Sequence, residues 1–417
     1  MSRCVSPAVV LAAAGVIGLL GACESSSTAP SPLPSARPTS PASAPGSPAP
    51  TGSPIPLPGE PDFSSLVDLG LELEIGVLGR EHTDDLLDFV SDGEAILYSS
   101  GIEPDVTTSS GAPDLWRLEP FEEPELIWKN AHRDHSLVGL GGDVGTYAFV
   151  DIPLTGERAW TLYLIPRRGQ EATVLDEHPG DEDVPSFVPS FSVYERRIVW
   201  TAFDRGPEGP VSQLLTASEP AWEPELLLEH PASEVEIWLP SQDGAHVTYT
   251  EVRYSEDRDS DERSVWLMPI GEPGATRRLD ASGRATMPVL VADAVLWKEA
   301  DRGYNMFNWG RMFRYDLADE RVVAIDLTPQ TYANYPSGGQ RYAAWWGSDS
   351  FSFGIYDHVL DEPRLIERNP PGSDTGVLRP HIAASLLAWM RVVGSDEDAW
   401  GELRYAWVPD AADARGR

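Results

Sequence analysis

The aspartates between residues 257 and 261 have types and a spacing that suggest a calcium-binding loop. Asp257, Asp259 and Asp261 alternate with other residues, and alternating carboxylates in a loop supply the oxygen ligands that Ca²⁺ prefers. The rest of the EF-hand pattern is missing, because Glu262 stands where glycine is needed and Met268 where a bidentate glutamate is needed. Two interpretations stay open: a looser calcium site, with calcium as cofactor, or a solvated acidic loop.

An aromatic segment forms a second candidate site. Tyr304, Phe307 and Trp309 lie among asparagines in residues 304–310. Exposed aromatic rings beside amide groups are typical of sites that bind carbohydrates or peptides. In the alternative interpretation these rings fold back over the edge of a neighbouring sheet and join the core. The sequence does not separate the two.

Motifs of known catalytic sites are absent from the sequence. The eight histidines show no metal-ligand spacing, and His132 and His135 lie where the pattern predicts a loop, so we expect surface histidines. The sequence contains no Gly-x-Ser-x-Gly elbow, P-loop, zinc-protease helix motif or dinucleotide fingerprint. We therefore assign no catalytic residue, although carboxylate sites assembled from distant segments leave no such motif.

The N-terminal segment carries features of export and lipid attachment. Arg3 and the apolar run 8–20 predict a signal peptide over residues 1–22 that is too short to span a bilayer comfortably. The ending Leu20-Gly21-Ala22-Cys23 resembles the lipobox of bacterial lipoproteins, in which a peptidase cuts before the cysteine and the thiol carries diacylglycerol. The resemblance implies lipidation of Cys23 and a membrane-anchored, extracytoplasmic lipoprotein of the bacterial cell envelope. A secretory signal with an incidental cysteine is the other interpretation.

The segment after the cysteine has the composition of a tether. Twelve of the 38 prolines lie between Pro30 and Pro61, mixed with serine, alanine, threonine and glycine. This composition cannot bury a core and favours extended conformers. We expect residues 23–61 to be a lipidated cysteine and a disordered tether, whether it lifts a folded head off the membrane or is an unselected spacer. We also expect the polar tail, residues 410–417, to be disordered.

Internal repeats dominate residues 62–409. Short apolar runs that end in an aromatic residue recur every 44 to 51 residues, and in four units a proline lies nine residues before the aromatic. Further runs of β-branched and aromatic residues follow in each unit, and no segment has a helical period. Units of four short antiparallel strands predict an all-β fold, a single β-propeller of seven four-stranded blades. The aromatic residues are Tyr98, Phe149, Trp200, Tyr249, Trp297, Trp345 and Trp389.

The last unit lacks an outer strand, because residues 410–417 have no strand pattern. Residues 66–78 (LVDLGLELEIGVL) precede the first unit and belong to no other. We expect this N-terminal strand to complete the last blade and close the ring, which leaves no open sheet edge there. Six blades are the alternative, because the second unit has the weakest inner strand.

The repeats resemble those of TolB-like propellers and related bacterial and archaeal surface propellers. Residues 89–98 (FVSDGEAILY) and 240–249 (PSQDGAHVTY) carry the S-D-G or S-x-D-G turn of that family, whereas residues 288–297 and 380–389 keep only its proline and tryptophan. The resemblance covers about residues 66–408 and implies the fold without an activity. Because the N-terminal α/β domain of TolB is missing, a partnership with envelope proteins is an analogy.

Charge and composition limit the classes of function. Lys and Arg total 31 and Asp and Glu total 66, so the net charge of −35 leaves no basic face for nucleic acid. Acidic runs at residues 181–183, 256–262 and 396–398 fall in loops expected at one end of the ring. Such runs either attract a cation or basic partner or merely solvate the surface.

Taken together, these features favour a binding role over an enzyme. We expect a membrane-anchored, extracytoplasmic binding or scaffold propeller that presents an acidic face to a protein or glycan of the cell envelope. The alternative is a propeller hydrolase or lyase that acts on a sugar, lactone or peptide with the help of calcium. The sequence identifies neither the ligand nor the membrane, whether outer or cytoplasmic.

Overall fold

The computed structural model describes most of the chain between residues 73 and 408. The described residues are 73, 75–78, 86–100, 113–132, 134–154, 159–180, 184–185, 187–255, 261–300, 310–325, 333–339, 341–347, 352–359, 362–368, 375–393 and 400–408. The predicted signal peptide, Cys23, the tether and the tail lie outside them. Within these ranges no helix has the length and apolar character needed to cross a membrane.

Each repeat folds into an antiparallel four-stranded blade, as the sequence predicts. Blade 1 consists of β2 (Leu86–Ser91), β3 (Ile96–Ser100), β4 (Asp114–Leu118) and β5 (Glu125–Trp128). Blade 2 consists of β6 (His135–Asp143), β7 (Thr146–Pro153), β8 (Trp160–Ile165) and β9 (Thr173–His178). Blade 3 consists of β10 (Phe191–Tyr194), β11 (Arg197–Gly206), β12 (Gly209–Ser218) and β13 (Glu225–Pro231).

The next three blades repeat the arrangement, with a short 3₁₀ helix (Pro273–Ala275) before β17. Blade 4 consists of β14 (Glu236–Gln242), β15 (His246–Arg253), β16 (Glu262–Pro269) and β17 (Arg277–Arg278). Blade 5 consists of β18 (Ala285–Val291), β19 (Ala294–Ala300), β20 (Gly310–Asp316) and β21 (Arg321–Ala324). Blade 6 consists of β22 (Ala333–Gly338), β23 (Tyr342–Gly347), β24 (Ser352–Asp357) and β25 (Glu362–Arg368).

The seventh blade joins strands from both ends of the described chain. β26 (Thr375–Ala383), β27 (Leu386–Val393) and β28 (Trp400–Trp407) are completed by β1 (Ile75–Val77). β1 pairs antiparallel with β28, and Gly76 lies opposite Tyr405. The first strand of every blade contacts the first strands of both neighbouring blades, so the ring is closed. The structure is therefore a seven-bladed β-propeller, and the predicted closure by an N-terminal strand is confirmed.

The aromatic residues that revealed the repeat form the core between blades. All seven lie on the second strand of a blade, and each is buried to within 4% of full burial. In blade 3, for example, Trp200 packs with Trp160 and Leu162 of blade 2. A large ring at this position fills the space between two twisted sheets. The aromatic residue therefore recurs in the sequence once per blade.

The prolines of the repeat lie at irregularities of the innermost strands. In blades 4, 5 and 7 the pairing of the first two strands shifts register at the proline. The residue before the proline has a positive φ there: 52° at Leu239, 55° at Met287 and 45° at Arg379. Proline has no N–H to donate, and a bulge in an edge strand is where a sheet tolerates it.

Side chains that follow these prolines link neighbouring blades around the channel. The hydroxyl of Ser337 in blade 6 accepts a hydrogen bond from the backbone N–H of Ile382 in blade 7 at 3.1 Å. At the closure of the ring, the Ser91 N–H donates to Nδ1 of His381 at 3.0 Å. The other links run from the Leu239 N–H to Ser190 Oγ at 2.9 Å and from the Leu290 N–H to Ser241 Oγ at 3.0 Å.

The inner strand of blade 2 is complete although its sequence signal is weak. β6 has nine residues and pairs along its length with β7. A side chain at Gly142 would place its Cβ 2.6 Å from Leu97 of blade 1, so the close approach of two blades requires glycine there. The glycine that permits this packing also removes an apolar residue from the repeat pattern. This explains why six blades remained an alternative at the level of sequence.

Candidate functional site

Blade 2 carries a pocket of about 590 Å³ at the end of the ring where the inner strands begin, which we call the upper face. Because the strands are antiparallel, the start of β6, the end of β7, the start of β8 and the end of β9 meet at this edge. The volume is within the range of small-ligand sites. The lining residues are Asp134, His135, Asp151, Pro153, Ala159, Trp160, Thr161, Glu177, His178 and Pro179.

A histidine–aspartate pair lies at the base of this pocket. His135 Nδ1 lies 2.7 Å from Asp151 Oδ2, and the side chains of these residues are 22% and 3% exposed. The strand register creates the pair: Asp151 lies opposite Leu137 on β6, two residues from His135, so both side chains are on the face towards blade 1. A buried carboxylate that accepts from one ring nitrogen directs the other, Nε2, away from itself.

A network from the neighbouring blade fixes the carboxylate. Asn130 Nδ2 donates to Asp151 Oδ1 at 3.4 Å, and the Asn130 N–H donates to Asp114 Oδ1 at 3.0 Å. Asn130 Oδ1 in turn accepts from the His132 N–H at 2.9 Å. The His132 ring stacks on that of His135, with 4.6 Å between the ring centroids. The connection between blades 1 and 2 therefore orients the histidine–aspartate pair.

Trp160 and His178 form the wall on the side of blade 3. They lie opposite each other on β8 and β9, and their rings stack with 5.8 Å between centroids. Trp160 is 3% exposed, and no described residue accepts a hydrogen bond from its indole Nε1. A buried donor without an acceptor costs about 1–3 kcal/mol. This donor is enclosed within the wall and is not open to the pocket.

The rim of the pocket is negatively charged. Asp134 and Glu177 are exposed, and with Asp151 they contribute three carboxylates, whereas the described lining contains neither lysine nor arginine. Carboxylates around a concave site concentrate positive ligands. The aliphatic part of the wall comes from Pro153, Ala159 and Pro179.

Titratable groups also lie where the first and last blades meet. Arg379 Nη1 lies 3.0 Å from Asp88 Oδ1, and burial raises the pKa of Asp88 despite this pairing. Loss of solvent around the half-buried ring lowers the pKa of His381 to about 4. These groups hold inner strands together, since Asp88 pairs with Arg379 and His381 accepts from Ser91. These contacts give the groups a structural role at the junction of blades 1 and 7, which we call the seam of the ring.

A buried lysine lies between blades 4 and 5. Burial, with a further contribution from the positive charge of Arg263, lowers the pKa of Lys298 to about 7. Its side chain is fully enclosed on β19, opposite Thr286 of β18. Neither Lys298 nor Arg263 lines the pocket of blade 2, so the buried lysine is not part of that site.

Most of the residues that the sequence singled out lie outside the described ranges. This applies to Tyr304, Phe307 and Trp309, to Asp257 and Asp259, and to the acidic runs 181–183 and 396–398. Asp261 is described: its Oδ1 accepts from the Ser255 N–H at 2.9 Å, and its buried Oδ2 accepts from no described residue. Among the described residues no group of three or more His, Cys, Asp or Glu is placed to hold a metal ion. Calcium binding therefore stays a prediction.

The expectation that His132 and His135 are both surface histidines is half wrong. His132 is exposed, but His135 begins a strand and pairs with a buried aspartate. Sequence reasoning missed Asp151, Trp160 and His178 as well. The one available signal was the presence of polar residues at the ends of apolar runs, and such residues are common at strand ends that carry no site.

Comparisons with known proteins support the fold. Neither models of known protein families nor the sequences of curated proteins match the chain. Among solved structures, a prolyl endopeptidase has a TM-score of 0.53 at 13% identity over 80% of this chain. The β-propeller domain of the Trilobed protease from Pyrococcus furiosus has a TM-score of 0.53 at 11% identity, covering 79% of this chain and 94% of that domain. TolB from Acinetobacter baumannii has a TM-score of 0.40 at 10% identity, covering 76% of this chain and 78% of TolB.

These likenesses establish a shared architecture and leave the activity open. The chain spans about half of the prolyl endopeptidase, 53% of its length. The Pyrococcus furiosus propeller is described as having an open velcro topology, whereas here β1 completes the last blade. At 11–13% identity, only the fold of the prolyl endopeptidase and of the Pyrococcus furiosus propeller carries over to this chain. The chain is therefore a propeller of the same general architecture as these two structures.

Proposed function

We propose that this protein is a binding propeller of the bacterial cell envelope, anchored through a lipid on Cys23, that holds a protein or glycan partner on its upper face. The observation that carries the proposal is the blade 2 pocket, which combines a fixed histidine–aspartate pair and a negative rim. Convergent polar groups in a concave site are what a binding site needs, and the closed ring makes the support rigid.

Localisation rests on the sequence. The residues before Cys23 resemble a lipobox, and the proline-rich residues 24–61 can extend by about 3.1 Å per residue as a tether. Two or three acyl chains would keep such a protein on a membrane, because each buried methylene contributes about 0.8 kcal/mol. In this proposal the ring stands off the membrane and the upper face is available to a partner.

Affinity capture with matched variants tests the binding role. The full chain in detergent is immobilised, envelope extract of the native organism is passed over it, and the retained protein and glycan are identified by mass spectrometry. We expect a partner that is retained by the wild type and by Glu171→Gln but lost from the Asp134→Asn/Glu177→Gln double variant. Glu171 is an exposed acid of the same blade, in the turn before β9, outside the pocket. Retention that ignores the double variant would contradict a site in this pocket.

Lipid attachment is tested separately. Cells that produce the full chain are fed an alkyne-tagged fatty acid, and the purified protein is assayed for the tag. We expect the wild type to be labelled and to sediment with membranes, and Cys23→Ser to be unlabelled and released. A tag that persists in Cys23→Ser would contradict lipidation at this cysteine.

The histidine–aspartate pair favours one second candidate, a hydrolase. An imidazole oriented by a buried carboxylate is the arrangement of a general base, and Nε2 of His135 could activate a water beside a bound ester, lactone or peptide. Turnover of such substrates by the wild type, abolished in His135→Gln and reduced in Asp151→Asn, would establish it. Binding without turnover would leave the first function.

A further inference from the structure

We infer that a single enclosed water molecule joins blades 1 and 2 at the lower end of the ring, bound by Asp92, Arg117 and Tyr147. The lower end is the one opposite the upper face. The three side chains are 0%, 4% and 0% exposed, and each keeps a polar atom whose hydrogen-bonding capacity no described residue satisfies. The inference goes beyond the proposed binding function and does not depend on it.

Asp92 supplies an acceptor. It lies in the turn between β2 and β3, where its Oδ1 accepts from the N–H groups of Glu94 and Ala95 at 2.9 and 2.6 Å. Its other oxygen, Oδ2, is enclosed and accepts from no described residue. Arg117 Nε lies 3.9 Å from this oxygen, which is too far for a direct N–H···O hydrogen bond.

Arg117 and Tyr147 supply two donors. Arg117 Nη1 donates to Glu119, whereas its Nε donates to no described residue. Burial and the negative charge of Asp92 raise the pKa of Tyr147 to about 12, so its hydroxyl keeps its proton at neutral pH. The guanidinium of Arg117 lies close enough to this hydroxyl to oppose the shift, but it has only donors and cannot accept the phenolic proton.

The packing of the two blades brings the three side chains together. Leu115, two residues before Arg117 on β4, packs with Tyr147 in the core between the blades, so Arg117 lies on the same face of its strand. A Cβ at Gly142 of β6 would lie 3.3 Å from the Asp92 Cβ and 3.1 Å from Tyr147 Cδ1. Asp92 and Tyr147 therefore flank the same point of the inner strand of blade 2.

The distances and charges select water as the ligand. An oxygen about 2.8 Å from both Asp92 Oδ2 and Arg117 Nε spans the 3.9 Å between them at an angle of about 90°. One water can accept from two donors and donate to a carboxylate oxygen, which matches the three groups. Asp92 repels an anion at this place and Arg117 repels a cation. Buried waters typically make about three such hydrogen bonds.

This water holds blade 2 against blade 1 at the end opposite the pocket. At the upper end of the same junction, Asn130 Nδ2 donates to Asp151 of blade 2. The blade that carries the pocket is therefore linked to its neighbour at both ends. Loss of a water ligand should loosen the lower link without a change in the residues that line the pocket.

A crystal structure of the full chain, at a resolution that shows ordered water, tests the site directly. We expect a density peak within about 3.2 Å of Asp92 Oδ2, Arg117 Nε and Tyr147 Oη. The peak should weaken in Tyr147→Phe, which removes one donor. It should persist in Tyr163→Phe, which removes a hydroxyl from the next strand of the same blade. Direct hydrogen bonds among the three side chains, with no density between them, would overturn the inference.

Chemical denaturation of the full chain in detergent supplies a second measurement, in solution. A shared water couples Asp92 to Tyr147, so the losses of stability in Asp92→Asn and Tyr147→Phe should not add, and the double variant should lose less than their sum. Asp92→Asn combined with Tyr163→Phe is the control, and its two losses should add. Additive losses for Asp92→Asn and Tyr147→Phe would contradict a shared water, whatever the crystal form.

Discussion

At the scale of single residues, His381 couples the closure of the ring to pH. Its Nδ1 accepts from the Ser91 N–H, which a protonated Nδ1 cannot do, and its pKa is lowered from 6.5 to about 4. Between these values the unfolded chain binds a proton that the folded chain does not. The free energy of unfolding should therefore fall as the pH falls from about 6.5 to 4, by up to about 3 kcal/mol from this group.

Denaturant unfolding of the wild type and of His381→Asn at pH 7, 5.5 and 4.5 measures this effect. Asparagine keeps an acceptor for Ser91 but does not titrate, so we expect the variant to lose less stability on acidification. Asp88 and Arg379 are present in both proteins, so their titration cancels in the comparison. The matched control is His132→Asn, an exposed histidine outside the seam. Parallel pH profiles for the wild type and His381→Asn would contradict this role.

Asp261 is a second single residue at which a prediction can be tested, in this case the prediction of calcium binding. It has a buried carboxylate oxygen that accepts from no described residue, next to the segment that holds Asp257 and Asp259. If this segment binds calcium, the melting temperature should rise with added Ca²⁺, because a ligand at 100 times its dissociation constant stabilises by about 2.7 kcal/mol. The rise should be absent in Asp261→Asn and reversed by a chelator. A melting temperature indifferent to both additions would exclude the site.

At the scale of elements, the serines on inner strands hold neighbouring blades in register. Ser337 is 9% exposed, and its hydroxyl accepts from the buried N–H of Ile382 in the next blade. Ser337→Ala leaves that N–H without an acceptor, which should cost about 1–3 kcal/mol of unfolding free energy. Chemical denaturation measures the loss, with Ser192→Ala on the inner strand of blade 3 as control. Equal stability of the wild type and Ser337→Ala would show that the link contributes nothing.

The closing strand depends on a close approach at Gly76. A Cβ there would lie 2.1 Å from the ring of Tyr405. This ring makes an edge contact with the ring of Phe121, and its hydroxyl oxygen accepts a hydrogen bond from the Phe121 N–H at 3.2 Å. Gly76→Ala should therefore strain the seventh blade and cost about 1–3 kcal/mol. Gly271→Ala, at a position with open space around it, is the control for thermal unfolding. An unchanged melting temperature for Gly76→Ala would show that β1 does not determine closure.

At the scale of the whole molecule, negative charge is spread over both ends of the ring. Besides the acids of the upper face, the hairpin turns between the first two strands of blades 1 to 5 each carry an acid at the opposite end. Burial and the neighbouring negative charges of Asp92, Glu195 and Glu94 raise the pKa of Asp143. The turn acids are Asp92, Asp143, Glu195, Asp243 and Asp293.

This distribution predicts that salt stabilises the folded state. At a net charge of −35 the compact state suffers self-repulsion, and the screening length falls from about 30 Å at 0.01 M salt to about 8 Å at 0.15 M. The melting temperature should rise more between these two NaCl concentrations than it does with a neutral osmolyte of equal osmolality, which stabilises only by exclusion from the surface. A melting temperature independent of NaCl would show that the charges are far enough apart, or well enough paired, to be neutral for stability.

The sequence by itself determined the architecture, because the residues that pack one blade against the next recur along the chain at a nearly regular interval. Each blade needs one large aromatic residue in its second strand to fill the gap to its neighbour, as Trp200 and Trp389 do, so counting them counts the blades. The closing strand could also be predicted, since an apolar run outside every unit must cover an open sheet edge.

Only the tertiary structure decided where polar groups meet. Asp88 and Arg379 are 291 residues apart, and His135 reaches Asp151 through the register of two strands. A shift of one residue in the pairing of β6 with β7 would turn His135 and Asp151 to opposite faces, and register is set by bulges and turns throughout the blade. Burial follows from a repeated local pattern, whereas the pocket of blade 2 depends on how particular side chains meet at the edge of one sheet.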